Sequence, residues 1–429
     1  MENTFDSSEE CALRMDREDP LARFRDQFYI PEGIIYMDGN SLGLLSKDAE
    51  SVVNRVLNEW KQLVIRGWLE AQQPWFYFAE RLGAMASQFV GASPNEVIAT
   101  GTTTINIHSL VSTFYQPADM RTRIIADELN FPTDIYALRS QVMLKNLDPA
   151  KHLILVQSSD GRTLHEDTIA KQMDERVVLA LLPSVLYRSG QLLDIPYLTR
   201  KAHEHGIIIG FDCSHSVGAI PHYLDDWDVD FAMWCSYKYM NGGPGAPAFL
   251  YINRRHFERM PMLTGWFGYV KNKQFDMLID FEHEKSAGGW QISSPSILSS
   301  AALEGSLSLL LDAGIKRIRV KSLKMTSYLM FLIDKMLSHE PYNFRIGTPS
   351  EDHRRGGHVA IEHKEAWRIC EALKTASVIP DFRLPDILRF APVALYNTYH
   401  ELWQIVHLLK DIIDHKKYEQ FSPTRKEIS

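Results

Sequence analysis

Two apolar rhythms alternate along the chain. Seven runs are continuous: EVIAT (96–100), RIIAD (123–127), HLILVQ (152–157), VVLALLP (177–183), IIIGFD (207–212), DFAMWCS (230–236) and AFLYI (248–252). Unbroken β-branched and aliphatic runs, rather than alternation of period 2, mark strands covered on both faces. Between them lie helical patterns such as TDIYALRSQVMLK (133–145) and IPYLTRKAHEH (195–205). An earlier helix is predicted from about Asp48 to Trp60 and beyond, where Val52, Val53, Val56, Leu57, Trp60, Leu63 and Val64 recur at helical spacing. Strand–helix alternation of this kind predicts an α/β fold with a doubly wound, mainly parallel sheet.

After about residue 300 the pattern changes. Residues 300–337 (SAALEGSLSLLLDAGIKRIRVKSLKMTSYLMFLIDKML) read as one long helical stretch. Strands are then expected in GGHVAIEH (356–363), SVIPDFR (377–383) and ILRFAPV (387–393), with helices in KEAWRICEALK (364–374) and YHELWQIVHLLKDII (399–413). That mixture predicts a smaller C-terminal α+β domain, its boundary inside the long helical stretch. The expected division is an N-terminal arm (1–50), a large domain (51–310) and the small domain (311–429). Residues 1–20 read as a frayed arm. YMDGNSLGLL (36–45) reads as a short apolar piece broken by a Gly-Asn-Ser turn.

Composition narrows the function. With 45% hydrophobic and 23% charged residues the chain is an ordinary soluble type. A formal net charge of −8 argues against nucleic acid or an anionic membrane as the main partner. Its four cysteines form no CxxC pair, so neither a disulfide framework nor a zinc site is expected. The start is acidic and polar, and no window approaches the roughly 18 apolar residues of a membrane span. A cytoplasmic location is expected.

Ligands in an open parallel sheet bind at the carboxyl ends of its strands. Asp212 ends one apolar run, with His215 three residues later; Lys238 follows the next run; and IATGTTTINIHSL offers a strand, a turn and a helix beginning near Ile105. Free N–H groups at that helix start, with the hydroxyls of Thr103 and Thr104, suit a phosphate. Taken singly, Lys238 is a loop lysine reaching water, Asp212 a helix cap and the threonine turn a common one. Their ordered combination on successive strands selects another reading. Pyridoxal phosphate needs an amine for its aldehyde, an acid for its ring nitrogen and an anion cradle. An amine withdrawn from water spends part of its time uncharged, the form that adds to a carbonyl. His203, His205 and His283 lack the spacing of a metal site, and no metal is expected. The stretch NGGPGAP (241–247) reads as turn punctuation.

Asp212-x-x-His215, then Ser236-Tyr237-Lys238-Tyr239 and Asn241-Gly242-Gly243-Pro244-Gly245, strongly resemble the kynureninase family of fold-type-I pyridoxal-phosphate enzymes. Further motifs match in order: Asp38 to Leu44, Phe131-Pro132-Thr133-Asp134, Gly265-Trp266-Phe267-Gly268, and Arg389-Phe390-Ala391-Pro392 through Leu395-Tyr396-Asn397. The resemblance implies hydrolysis of L-kynurenine to anthranilate and L-alanine in tryptophan catabolism. It implies a homodimer with shared active sites, the N-terminal arm packing on the small domain and on the partner. Lys238 would bond to the cofactor aldehyde and act as base, Asp212 would pair with the ring nitrogen beside Asp134, and Phe131 would stack on the ring. Pro132, Thr133 and His215 belong to the same shell. Thr103, Thr104, Tyr237 and Trp266 would hold the phosphate region, Trp266 from the partner subunit. Arg389 would clamp the substrate α-carboxylate, with Asn40 and Ser41 lining the pocket and Tyr237 donating a proton.

Trp68 stands where animal relatives carry histidine, and Ser294, also in the cofactor shell, where Asn or Thr is usual. Both should face the substrate's aryl ring, which predicts a preference for kynurenine over 3-hydroxykynurenine. Pro183 replaces a cofactor-contacting Ser or Thr, leaving Ser184 to compensate or the contact absent. The rival reading is a cysteine desulfurase or selenocysteine lyase, which needs a cysteine on a mobile loop. Cys370 lies instead in a helical pattern, and Cys213 and Cys235 lie in or beside strands. A binder without catalysis is disfavoured by Lys238, Asp212 and Arg389 together, and a nicotinamide dehydrogenase by the missing glycine fingerprint.

Overall fold

The computed structural model describes residues 5–424. The strands in chain order are β1 (Ile35–Tyr36), β2 (Val97–Ala99), β3 (Arg123–Asp127), β4 (Leu153–Val156), β5 (Val177–Pro183), β6 (Ile208–Asp212), β7 (Phe231–Cys235), β8 (Ala248–Ile252), β9 (Arg345–Ile346), β10 (Val359–Glu362), β11 (Val378–Ile379), β12 (Asp381–Arg383) and β13 (Ile387–Phe390). Seven of them form one sheet in the order β2-β8-β7-β6-β5-β3-β4, each within one residue of the apolar run that predicted it. From β4 to β7 every pairing is parallel. Strand β8 runs antiparallel to both β7 and β2. The cause is the connection: residues 236–247 form a tight loop without a crossover helix, so the chain can only turn back on itself.

Helices cover both faces, and every residue of β5, β7 and β8 is buried. That burial explains why these strands carry apolar residues without alternation. The carboxyl ends of β3, β6 and β7 share one edge with the amino ends of the helices Thr103–Phe114 and Pro132–Leu144.

A second, antiparallel sheet has the order β12-β13-β10-β9, and β1 pairs in parallel with β11. The expected single helix over 300–337 is instead two, Ile297–Ala313 and Ile315–Leu337, bent by 78°. Gly314 sits at the break with φ +78°, a conformation that costs glycine little and other residues more. Leu303 to Ile318 join the core around the large sheet, whereas Met325 to Leu337 join the core of the C-terminal half. The change of core thus falls inside the second helix, just past the bend.

The frayed arm expected for residues 1–20 is corrected from Ser8 onward, residues 1–4 lying outside the described residues. Glu9–Arg17 is a helix, with Ser8 accepting from the Cys11 N–H and with Cys11, Ala12 and Met15 buried. Those three join the C-terminal core. Asp16 accepts the N–H groups of Tyr399 (2.6 Å) and His400 (3.0 Å) at the start of the helix Tyr399–Asp414. Among the described residues no single helix is long and apolar enough to cross a membrane.

Candidate active site

Lys238 lies three residues beyond β7, in a turn held from both ends. Ser236 Oγ donates to the Pro247 carbonyl (2.6 Å), and the Asn241 N–H donates to the Lys238 carbonyl (2.9 Å). Asn241 and Gly243 take φ of +55° and +85°, so the punctuation read from NGGPGAP is a left-handed turn. A second loop is clamped on it: the Gly43 N–H donates to the Tyr237 carbonyl at 2.7 Å.

The half-buried Lys238 Nζ lies 2.9 Å from His215 Nε2. Burial first, and then the charge of Lys238, hold His215 well below the usual imidazole range. The ring is therefore neutral, and its Nε2 accepts from the lysine.

Asp212 ends β6 and accepts the Ser214 N–H at 2.8 Å. Against it sits Asp134, in the first turn of the helix Pro132–Leu144 and 1% exposed. Burial, then the charge of Asp212 and a hydrogen bond to it, raise Asp134 well above the usual carboxylate range. Asp134 holds a proton where an ordinary aspartate has lost it and shares that proton with Asp212. Its Oδ2 is buried without a hydrogen-bond partner among the described residues. Phe131, directly before this helix, packs edge-on to Tyr187 with ring centroids 5.3 Å apart. Pro132 and Thr133 open the helix.

The helix near Ile105 starts at Thr103, two residues earlier than expected, because Thr102 caps it by accepting from the Ile105 N–H. Thr103 and Thr104 occupy the first two helical positions, whose N–H groups have no partner within the helix. They face the same edge as a positive dipole end.

Arg389 comes from β13 and is 1% exposed. Its Nε donates to Asp381 Oδ2 (2.6 Å), its Nη2 also reaches Asp381, and its Nη1 donates to the Tyr187 carbonyl (2.6 Å). Nη2 further lies 3.4 Å from Ser41 Oγ. The fork is thus oriented from behind, and it retains N–H capacity toward the loop of Asn40 and Ser41. Asn40 is fully buried, and neither end of its amide has a partner among the described residues.

Tyr237 is half-buried; burial, then Cys235, push its hydroxyl above the usual range, so it is a proton donor rather than a phenolate. Ser184 is fully buried. It donates through both N–H (2.8 Å) and Oγ (3.0 Å) to the Asp212 carbonyl, and its Oγ lies 2.7 Å from Ser216 Oγ. Its hydroxyl is therefore committed to steadying Asp212 beside Pro183, which pairs with Asp212 across the sheet.

Trp68, Trp266 and Ser294 stand apart from this group in the chain. Trp68 packs on Trp75 and Phe267 at 6.1 and 6.0 Å, and Trp266 packs on Phe267 and Phe275 at 5.6 Å each. Ser294 is exposed on the segment whose Ile292 carbonyl presses on Gly265, next to Trp266. His203 and His283 have structural partners, Asp230 at 3.0 Å and the Phe257 carbonyl at 2.9 Å.

Sequence reasoning missed Asp381, Tyr187 and His358. A signal existed for Asp381, since a buried arginine demands a counter-charge and VIPDFR lies on the adjacent strand, Asp381 facing Arg389 in register. Tyr187 and His358, whose rings flank His215 at 6.4 and 5.9 Å, reach the cleft from loops with no such signature. The assembled set is an amine beside a neutral imidazole, a carboxyl pair sharing a proton, a helix start and a held guanidinium. Its donors and acceptors fit an aldehyde, a protonated ring nitrogen, a phosphate and a carboxylate in turn.

A family model described as "Kynureninase C-terminal domain" matches residues 318–409. The chain is 56% identical to the kynureninase of Geobacillus thermodenitrificans over 98% of both chains. It is 54% identical to the kynureninase of Bacillus thuringiensis subsp. konkukian over 99% of both. Among solved structures, C-DES with glycine covalently linked to its PLP cofactor superposes with a TM-score of 0.78 at 15% identity, covering 90% of this chain and 99% of that one. A cysteine desulfurase from Thermococcus onnurineus superposes with a TM-score of 0.77 at 16% identity, covering 92% and 98%. At such identities these two likenesses establish the fold.

Proposed function

The chain belongs to the kynureninase family and is a pyridoxal-phosphate-dependent hydrolase of carbon–carbon bonds; we propose that Lys238 is both its cofactor-bonding amine and its catalytic base. It splits L-kynurenine into anthranilate and L-alanine, a step of tryptophan breakdown. Bound pyridoxal phosphate supplies the electron sink for charge released at the substrate carbons. The observation that carries the assignment is Lys238 Nζ at 2.9 Å from a neutral His215, beside the Asp134–Asp212 pair.

Asp212 keeps the cofactor ring nitrogen protonated, and the proton on Asp134 steadies its geometry. Phe131, with Pro132 and Thr133, bounds the ring. Thr103 and Thr104 hold the phosphate through their N–H groups and hydroxyls, joined by Tyr237 and by Trp266 of the partner subunit. Arg389, aimed by Asp381, binds the α-carboxylate bidentately, a task suited to a planar guanidinium. Asn40 turns its unpaired amide to the substrate, alongside Ser41. Lys238 moves the α-proton, and Tyr237 donates a proton to the alanine fragment after water has added to the γ-ketone.

A homodimer supplies the missing tryptophan. It is supported by exposed large apolar side chains, among them Trp60 beside Leu298 and Trp266 against Phe275. Sedimentation at a single-chain mass would reject it. The cytoplasm suits four cysteines that are all free and buried. Trp68 and Ser294 favour kynurenine over its 3-hydroxy form. Trp68→His is expected to raise the relative kcat/KM for the hydroxylated substrate, and no change would remove Trp68 from the aryl pocket.

The assay is anthranilate fluorescence on adding kynurenine. Wild type is expected to produce it, and Lys238→Ala to produce none and to yield no borohydride adduct at residue 238. Sulfide release from cysteine without anthranilate would transfer the chain to the desulfurase reading, which its buried thiols disfavour.

A further inference from the structure

Away from the cleft, a cavity of about 620 Å³ opens beside the start of the helix Ile195–Glu204. That volume is within the range of small-molecule sites. Tyr197, Trp227 and Ile220 give it an aromatic and apolar wall, and Arg319 and Arg354 supply positive charge.

Arg319 has no carboxylate partner among the described residues, and Arg354 has only a long ion pair. Arg319 donates only to carbonyls, those of Gly356 (3.3 Å), Asp352 (2.9 Å) and Arg355 (2.8 Å). Arg354 Nη2 is 3.8 Å from Glu166 Oε2, beyond hydrogen-bond reach, and is buried without a partner among the described residues. A ligand carboxylate could take the hydrogen bond that Arg354 Nη2 leaves unmade and pair with Arg319. The rim also carries Glu166, Asp167 and Asp194. Three acids against two arginines disfavour a simple anion, whereas an ammonium group on the same ligand completes the balance. Behind the cavity, His222 is 2% exposed and held neutral by burial, so it adds no charge.

We propose that this crevice is a second small-molecule site, which takes a zwitterionic aromatic amino acid: ring against Tyr197 and Trp227, carboxylate toward Arg319 and Arg354, ammonium toward the acidic rim. None of the residues assigned to catalysis lines it. Its inner end nevertheless touches the catalytic edge. His222 Nε2 lies 2.8 Å from Ser216 Oγ, which bonds Ser184, which bonds the Asp212 carbonyl.

The probe is 5-bromo-L-tryptophan, soaked at about 1 mM, the scale of a weak metabolite site, into crystals of the cofactor-loaded protein. Anomalous scattering locates the bromine, and cofactor absorbance reports separately on entry into the catalytic cleft. Bromine between Tyr197 and Trp227 is expected. In calorimetric titrations Arg354→Met and Asp194→Asn should each weaken binding about tenfold, with kynurenine turnover unchanged when the probe is absent. Asparagine preserves the helix cap, so the second variant removes charge alone. Bromine confined to the catalytic cleft or absent altogether overturns the proposal, as does unchanged affinity in both variants.

Discussion

Gly43→Ala is a test of how tightly the loop of residues 38–44 is fitted over Lys238. An added Cβ would stand 2.2 Å from Asn241 Oδ1, 2.5 Å from the Lys238 carbonyl oxygen and 2.8 Å from Asn241 Cα. Ordinary contacts between such atoms are ~3.5 Å. Asn241 is itself buried, and the other two contacts are backbone, so loop and turn must separate by about 1 Å. Separation breaks the 2.7 Å bond from the Gly43 N–H to the Tyr237 carbonyl. Overpacking costs about 1–3 kcal/mol and the lost bond about 1 kcal/mol. The larger effect is on rate, because displacing a catalytic group by about 1 Å costs on the order of 10²-fold. Anthranilate fluorescence gives kcat and KM, and urea unfolding of the same samples gives stability. The expected result is a fall in kcat near a hundredfold with a loss of a few kcal/mol. A variant matching wild type in both would show that the loop does not hold the lysine in place.

Three other substitutions probe the buried charges and the pocket wall. Asp127 ends β3 fully buried with neither oxygen hydrogen-bonded among the described residues, and burial pushes it up to about 7. The folded state keeps this proton after the unfolded chain has released it, so wild-type stability should fall as pH rises from about 4 to about 7. Asp127→Asn should remove that slope and gain up to about 4 kcal/mol at pH 8 in urea titrations; parallel pH profiles would refute it. Asp381→Ala leaves Arg389 buried and uncompensated, which should cost about 3–5 kcal/mol and raise KM for kynurenine more than it lowers kcat. Equal unfolding midpoints would show that Asp381 is dispensable to the arginine. Trp68→His, monitored through the ratio of specificity constants for the two substrates, tests the aryl pocket as described above.

Where burial on both faces dictated composition, the primary structure was legible. β5 and β7 are apolar throughout because helices cover them twice, and that left seven unmistakable runs. The reversal of β8 was hidden because direction depends on what spans 236–247, not on the strand's own residues. The bend at Gly314 was masked by helical periodicity on both sides of it. The helix Glu9–Arg17 looked like a polar tail because only three of its residues are buried, and their partners lie far along the chain. Lys238, Asp212 and the threonine turn drew notice because ligands of an open sheet gather at its strand ends, and the fold does place them on one edge. Asp381 and Tyr187 act on Arg389 through contacts that only the folded chain creates.

One capping contact has a temporal side. Asp16 secures the first turn of the last helix, and Arg25 reaches the Tyr396 carbonyl and Glu401 at 2.7 Å. The loop clamped on the turn of Lys238 leaves this same leading segment. During synthesis Leu21, Phe24 and Phe28 can join the core of the large sheet early, but Asp16 and Arg25 gain these partners only after residues 396–401 have left the ribosome. A nascent chain that has already made every strand of the large sheet still lacks Arg389, which arrives with β13.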